Sequence, residues 1–152
     1  MRGTYLEQLE RTRRALSRLR EVYRGRIHDN TSEQYRDDVL CFFQNCYHLK
    51  DWLKWDPSGL FKAGVEQYVN QNRELQLCAD LCNGSKHLVL TTPRSSEHPR
   101  LGGQSAEIDV GAQEIRIRFA VDTDTGPLDA LDLATRCVDL WADFIRKCGG
   151  AA

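Results

Sequence analysis

Two stretches of this sequence place titratable side chains where proton transfer or phosphate binding needs them. In QNCYHLKDWLKW, Gln44, His48, Asp51 and Trp55 recur at intervals of four, three and four, so a helix would align them on one stripe. A carboxylate one turn from an imidazole can orient or charge it, as a proton-transferring His commonly requires. The plainer reading is that His48 and Asp51 mark the solvent edge of that helix. In LCNGSKHLVL, Asn83-Gly84 is a helix-stop signal, because both residue types tolerate left-handed backbone at a helix C-terminus. Ser85, Lys86 and His87 then fall just past the helix end, where the terminal carbonyls favour cations.

These stretches suggest distinct kinds of chemistry. If Asn83 and His87 converge with His48 and Lys50 between two helices, one His can take a ribose 2′-hydroxyl proton and the other can protonate the leaving oxygen. A Lys would then stabilise the phosphorane, giving metal-free phosphodiester cleavage. Alternatively, Trp52, Trp55, His48 and Lys86 line a pocket for a small molecule. The sequence has no phosphate-binding glycine loop, H-E-x-x-H or G-x-S-x-G.

The six cysteines offer a further chemistry. Cys78 and Cys82 would share a helix face, and His87, or Cys41, Cys46 and His48, would be needed to complete a zinc site. Cys41 and Cys46, however, point about 140° apart on a helix, and no paired C-x-x-C knuckle is present. The expectation is therefore free thiols packed as small hydrophobes, with no metal and no cofactor.

Most of the elements that must position these groups are helices. Tyr5, Leu9, Leu16, Leu19 and Tyr23 give an amphipathic helix from Thr4 to about Ile27, with an Arg-rich solvent face. After a capping signal at Asn30 or Thr31, Tyr35, Val39, Phe42, Cys46, Leu49 and Leu53 step by four and three, the seam of a packed helix. Asp56-Pro57 reads as an N-cap and first-turn proline opening a third helix through Val69. A fourth spans Arg73 to Asn83.

Leu88 to Leu90 reads as extended, and TTPRSSEHPRLGGQS reads as a loop. Two alternating strands follow, with Ala106, Ile108 and Val110 on one face of the first and Ile115, Ile117, Phe119 and Val121 on one face of the second. Gly111-Ala112 makes the turn between them. A last helix starts near Pro127, with Leu128, Leu131, Ala134, Val138, Trp141 and Ile145 as its stripe. The expected fold is mainly α, a bundle of about five helices in a single domain over residues 1–152, with a small β-hairpin at about 104–122 inserted before the C-terminal helix.

Length and charge narrow the function classes. A chain of 152 residues buries a sizeable core without staples. Twenty-one basic against 22 acidic residues leave a net charge of −1, so any nucleic-acid contact must be local. No window is apolar enough for a membrane span, and the N-terminus lacks a signal-peptide core. The expected location is the cytoplasm, with no membrane partner.

The helix bearing YHLKDW together with NGSKH resembles a group of uncharacterised bacterial proteins and, more distantly, the HEPN superfamily, over about residues 5 to 90 and the last helix. That resemblance implies a helical bundle that is often a homodimer, in toxin-antitoxin and antiphage defence systems, with RNA or a cognate protein as partner. Many HEPN proteins are ribonucleases whose motif is an Arg, then a polar residue, then a His a few residues on. On this chain Asn83 takes the polar position and His87 the histidine, but the Arg position falls on Cys82. Lys86, Lys50 or Arg73 would have to substitute for it. The expected site is thus His87, His48, Lys86, Asn83 and Asp51, with Lys50, Trp52, Trp55 and Arg73 as ligand-binding groups. The resemblance implies a binding or oligomerising module, with ribonuclease activity as the alternative.

Overall fold

A computed structural model of the chain describes residues 3–27, 32–87, 90–111 and 114–152. These residues form five helices: α1 (Tyr5–Arg24), α2 (Ser32–Lys54), α3 (Val65–Gln71), α4 (Arg73–Gly84) and α5 (Ala130–Lys147). An antiparallel sheet is built from β1 (Arg26–Ile27), β2 (Arg100–Asp109), β3 (Glu114–Thr123) and β4 (Gly126–Asp129). The fold is mainly α, with the hairpin preceding the last helix, as the sequence pattern predicts.

The core follows from the stripes. Every seam residue of α2, from Tyr35 to Leu53, is buried, and α1, α4 and α5 bring Leu9, Leu19, Leu75, Leu77, Ala134 and Trp141 against that seam's cluster. Two polar residues of α1 are also buried, Gln8 and Thr12. Both donate to the Asn45 carbonyl, at 2.8 and 3.2 Å, so their burial leaves no orphan donor.

Strand β3 is the centre of the sheet. Strand β2 pairs along one edge, while β1 pairs with Glu114 and Ile115 and β4 with residues from Ala120 to Thr123. Between β1 and β4 the Tyr23 hydroxyl accepts from the Phe119 amide at 3.1 Å and also lies 3.1 Å from the Asp129 carboxylate, to which it can donate. Burial pushes the Tyr23 phenol up to about 12, so it stays protonated in this role.

Several local expectations change. Helix α1 ends at Arg24, and Arg26 and Ile27 become β1. The third helix begins at Val65 rather than after Pro57. The Asp56 carboxylate instead accepts from the Ser58 amide and hydroxyl and from Tyr5 N, an otherwise orphaned donor in the first turn of α1. Gly59, at φ +71, turns the chain away from a helical path.

Helix α4 does not stop in a left-handed cap. Gly84 is its last residue, and Ser85 follows at φ −74. The final carbonyls are satisfied without positive φ, because Ser85 Oγ donates to Cys82 O and the Lys86 and His87 amides donate to Asn83 O.

Part of the expected loop is strand. β2 starts at Arg100, and a register shift between Leu101 and Gln104 absorbs the two glycines. A Cβ on Gly102 would meet the Asp122 carboxylate at 2.1 Å, so a larger residue there would have to displace that exposed side chain. Val110 lies beyond β2 and is exposed, whereas Ile117, Phe119 and Val121 are buried as the alternation requires. Pro127 belongs to β4, and α5 starts three residues later, where Asp129 caps it by accepting from the Asp132 amide at 3.0 Å. The capping signal at Asn30 and Thr31, the extended Leu88 and Val89, the turn residue Ala112, and the side chains of Ile108 and Ile115 lie outside the described residues.

One buried charge ties the loop between α4 and β2 to the bundle. Asp80, 2% exposed, accepts from the Arg94 amide at 2.6 Å, the Ser95 amide at 2.8 Å and the Ser95 hydroxyl at 2.5 Å. Asp80→Ala would leave two amides without their acceptor, at about 1–3 kcal/mol for each such group. We expect a lower urea midpoint at unchanged m-value, corresponding to about 2–6 kcal/mol. An unchanged midpoint would show that Asp80 does not anchor the loop.

Candidate functional site

The expected site residues fall into three neighbourhoods. The first joins the middle of α2 to the end of α4. Gln44 donates to Ser85 Oγ at 2.9 Å, and one turn later His48 Nε2 lies 4.0 Å from Cys82 Sγ. Lys86 and Asp51 act on His48 electrostatically. Burial and the Lys86 charge push the His48 imidazole below its ordinary 6.5, with Asp51 opposing. Burial likewise raises the Cys82 thiol despite Lys86. The result is a neutral thiol beside a neutral imidazole, not the thiolate–imidazolium pair that nucleophilic catalysis by Cys requires. Gln44 and His48 thus face α4, while Asp51 and Trp55 are the solvent edge of the stripe.

The second neighbourhood is a cavity of about 440 Å³ between the N-terminal half of α2, the end of α4 and the start of β2. Arg36, Leu40, Leu81 and His87 line it together with His98 and Arg100. The Asp80 carboxylate is also in its wall but is engaged by the Arg94 and Ser95 donors. Arg36 donates to the carbonyls of Leu101 and Gly102, which ties α2 to β2 and fixes a positive charge at the rim. His87, His98 and Arg100 are exposed. His48 is not among the lining residues, and the second imidazole in this cavity is that of His98. Asn83 is half-buried and supplies its backbone carbonyl to the Lys86 and His87 amides, which positions both side chains.

The third neighbourhood is a cationic cluster around Glu66 on α3. Its carboxylate takes Lys50 at 3.0 Å, Lys54 at 3.1 Å and Arg94 at 2.7 Å. Lys50 also pairs with Asp51 at 3.1 Å, so it is committed to α3 and its own neighbour rather than to His48. Arg73 is similarly engaged, by Glu97 at 2.9 Å and by the Thr125 hydroxyl at 2.9 Å. Trp52 lies under Arg11 at 5.7 Å, and Trp55, 68% exposed, carries Lys54 and Lys62 at 5.9 and 5.4 Å. Both tryptophans are cation–π partners, Trp52 half-buried against the core and Trp55 exposed, and neither is among the residues lining the His87 cavity.

His98, Arg36 and Arg100 were not singled out in the sequence. Their only signal was chemical type: a His and an Arg flanking a Pro in EHPR, in a polar loop. Compared with known proteins, the chain matches no family model, and neither a curated protein nor a solved structure shows significant similarity to it.

The Glu66 cluster makes a testable contribution to acid stability. Burial pushes its carboxyl up, but the hydrogen bonds from Arg94, Lys50 and Lys54 outweigh that and bring it from 4.5 down to about 2. A depressed folded value means stability that is present above pH 4.5 and is lost as pH falls from 4.5 towards 2. Glu66→Gln should therefore flatten that part of the curve of thermal midpoint against pH. Parallel curves for the two proteins would show that the cluster is screened out.

Proposed function

We propose that this protein is a HEPN-like helical module of a bacterial defence or toxin-antitoxin type system that acts by binding, with RNA as the ligand and a homodimer as the working form. The observation that carries this reading is Cys82. It occupies the position where the resembling nucleases have Arg, and it is buried with a neutral thiol against a neutral His48. Of the three cations that would have to substitute, Lys50 and Arg73 are engaged by carboxylates, leaving Lys86, beside His48.

Binding has a better-supported location. Arg36 and Arg100, with two imidazoles, surround a cavity large enough for a phosphate and part of a nucleotide. Because the net charge is −1, this local concentration is what would attract a phosphate backbone.

Ribonuclease activity is the second reading. It is favoured by one observation, that two imidazoles, His87 and His98, share a cavity with arginine. Two imidazoles are what an acid and a base for metal-free cleavage require.

One experiment separates the readings. A labelled mixed-sequence RNA is added at low salt in EDTA, and anisotropy and fragment ends are followed together. We expect binding without fragments, and Arg100→Glu should weaken binding about tenfold and reduce the salt slope by about one. Fragments with 2′,3′-cyclic phosphate ends from wild type, but not from His87→Ala, would replace the binding reading with the nuclease. Absence of both binding and fragments would reject RNA as the ligand.

A further inference from the structure

Cys46 on α2, Cys78 on α4 and Cys137 on α5 meet in the core, with exposures of 0, 1 and 0%. Their sulfurs all lie within 4.8 Å of one another, the only such cluster of metal-ligating types among the described residues. A point within about 2.8 Å of all three therefore exists, and metal–thiolate bonds near 2.3 Å need each sulfur to move in by only about half an ångström. The trio could not be read from the sequence, because its members come from three helices and Cys137 lies far along the chain from the other two. The pairing of Cys78 with Cys82 considered there is not the one the fold makes.

A second observation points into the cluster. The Trp141 indole, 1% exposed, has no hydrogen-bond partner for its N–H, and the group this N–H faces is the Cys46 sulfur. An unpartnered donor in a dry core is costly. If the role of the cluster were only to fill space, three aliphatic side chains and a Phe would do so without that cost. A thiolate bound to a cation would give the indole its acceptor.

We propose that Cys46, Cys78 and Cys137 form a three-coordinate thiolate site for a soft, monovalent cation of the Cu(I) class. Softness follows from an all-sulfur donor set. Zn(II) takes four ligands in structural sites, and no fourth donor joins these three among the described residues. Each thiol that bonds the cation gives up its proton to solvent, so Cu(I) displaces up to three protons and no electron is transferred. Cys78 and Cys137 would then exchange their contacts with the Phe43 and Glu74 carbonyls, at 3.5 and 3.4 Å, for the metal. The site would join α2, α4 and α5 from within, and it stands independently of the RNA-binding reading.

The test uses fully reduced full-length protein, titrated anaerobically with Cu(I) in competition with bicinchoninate. One tightly held equivalent is expected, with a thiolate-to-copper absorption band in the near ultraviolet and a raised thermal midpoint. Cys137→Ala should lose the equivalent, and Trp141→Phe should weaken it about tenfold, as loss of a donor to a ligand commonly does. Cys41→Ser/Cys148→Ser keeps all three core cysteines and changes only the two half-buried thiols. Retention of the equivalent in that variant supports the core site; its loss would place copper at the two half-buried thiols instead and overturn the proposal. Surrender of all Cu(I) to the competitor by wild type would also overturn it.

Discussion

The constraint on which the rest of this protein depends is the complete burial of one face of α2. Six residues from Tyr35 to Leu53 reach at most 2% exposure, so other helices must cover them. Helices α1, α4 and α5 do so, and α3 closes the C-terminal end. At about 1.5–3 kcal/mol for each large apolar side chain removed from water, this seam outweighs any single polar contact in the molecule. It also decides which polar groups can meet. The residues flanking the seam are placed by the rotation of α2 that the seam fixes, so that Arg36 reaches β2 while Gln44 and His48 face the end of α4.

Polar contacts then do what burial cannot, which is to place the irregular segments. Asp80 secures the loop after α4 by two amides and a hydroxyl, and Arg36 holds the start of β2 by two carbonyls. Between them they bring His98 and Arg100 across from His87. The Glu66 cluster ties the same loop to α2 and α3 through Arg94, Lys50 and Lys54. Tyr23 and Asp129 fill the gap on the open edge of β3 and start α5. These are buried or half-buried groups with well-paired partners, the condition under which polar groups specify geometry rather than destabilise it.

Charge compensation decides which cations are engaged within the fold. Sequence positions that appear as available cations, Lys50 and Arg73, are neutralised by carboxylates from other elements, and the buried Cys82 offers no charge to a phosphate. Arg36 and Arg100 line one cavity together with the two imidazoles. On the proposed reading, such a cavity serves recognition of an anion rather than attack upon it.

What the sequence determined by itself was the helical bundle and its buried faces. Periodicity is a local property, and the seams of α1, α2 and α5 and the alternation of β3 could be read from spacing alone. Composition likewise excluded long apolar spans, and no helix among the described residues is long and apolar enough to cross a membrane. The boundaries moved where a side chain found a distant partner: Asp56 took the Tyr5 amide, Ser85 replaced a glycine cap, and Pro127 entered a strand. Only the tertiary structure decided which titratable groups share a space. His48 met Cys82, His87 and His98 came to line one cavity, and three cysteines from three helices met beside an unpartnered indole. Such meetings depend on the rotation and crossing of packed helices, which the residue types at a local spacing do not encode.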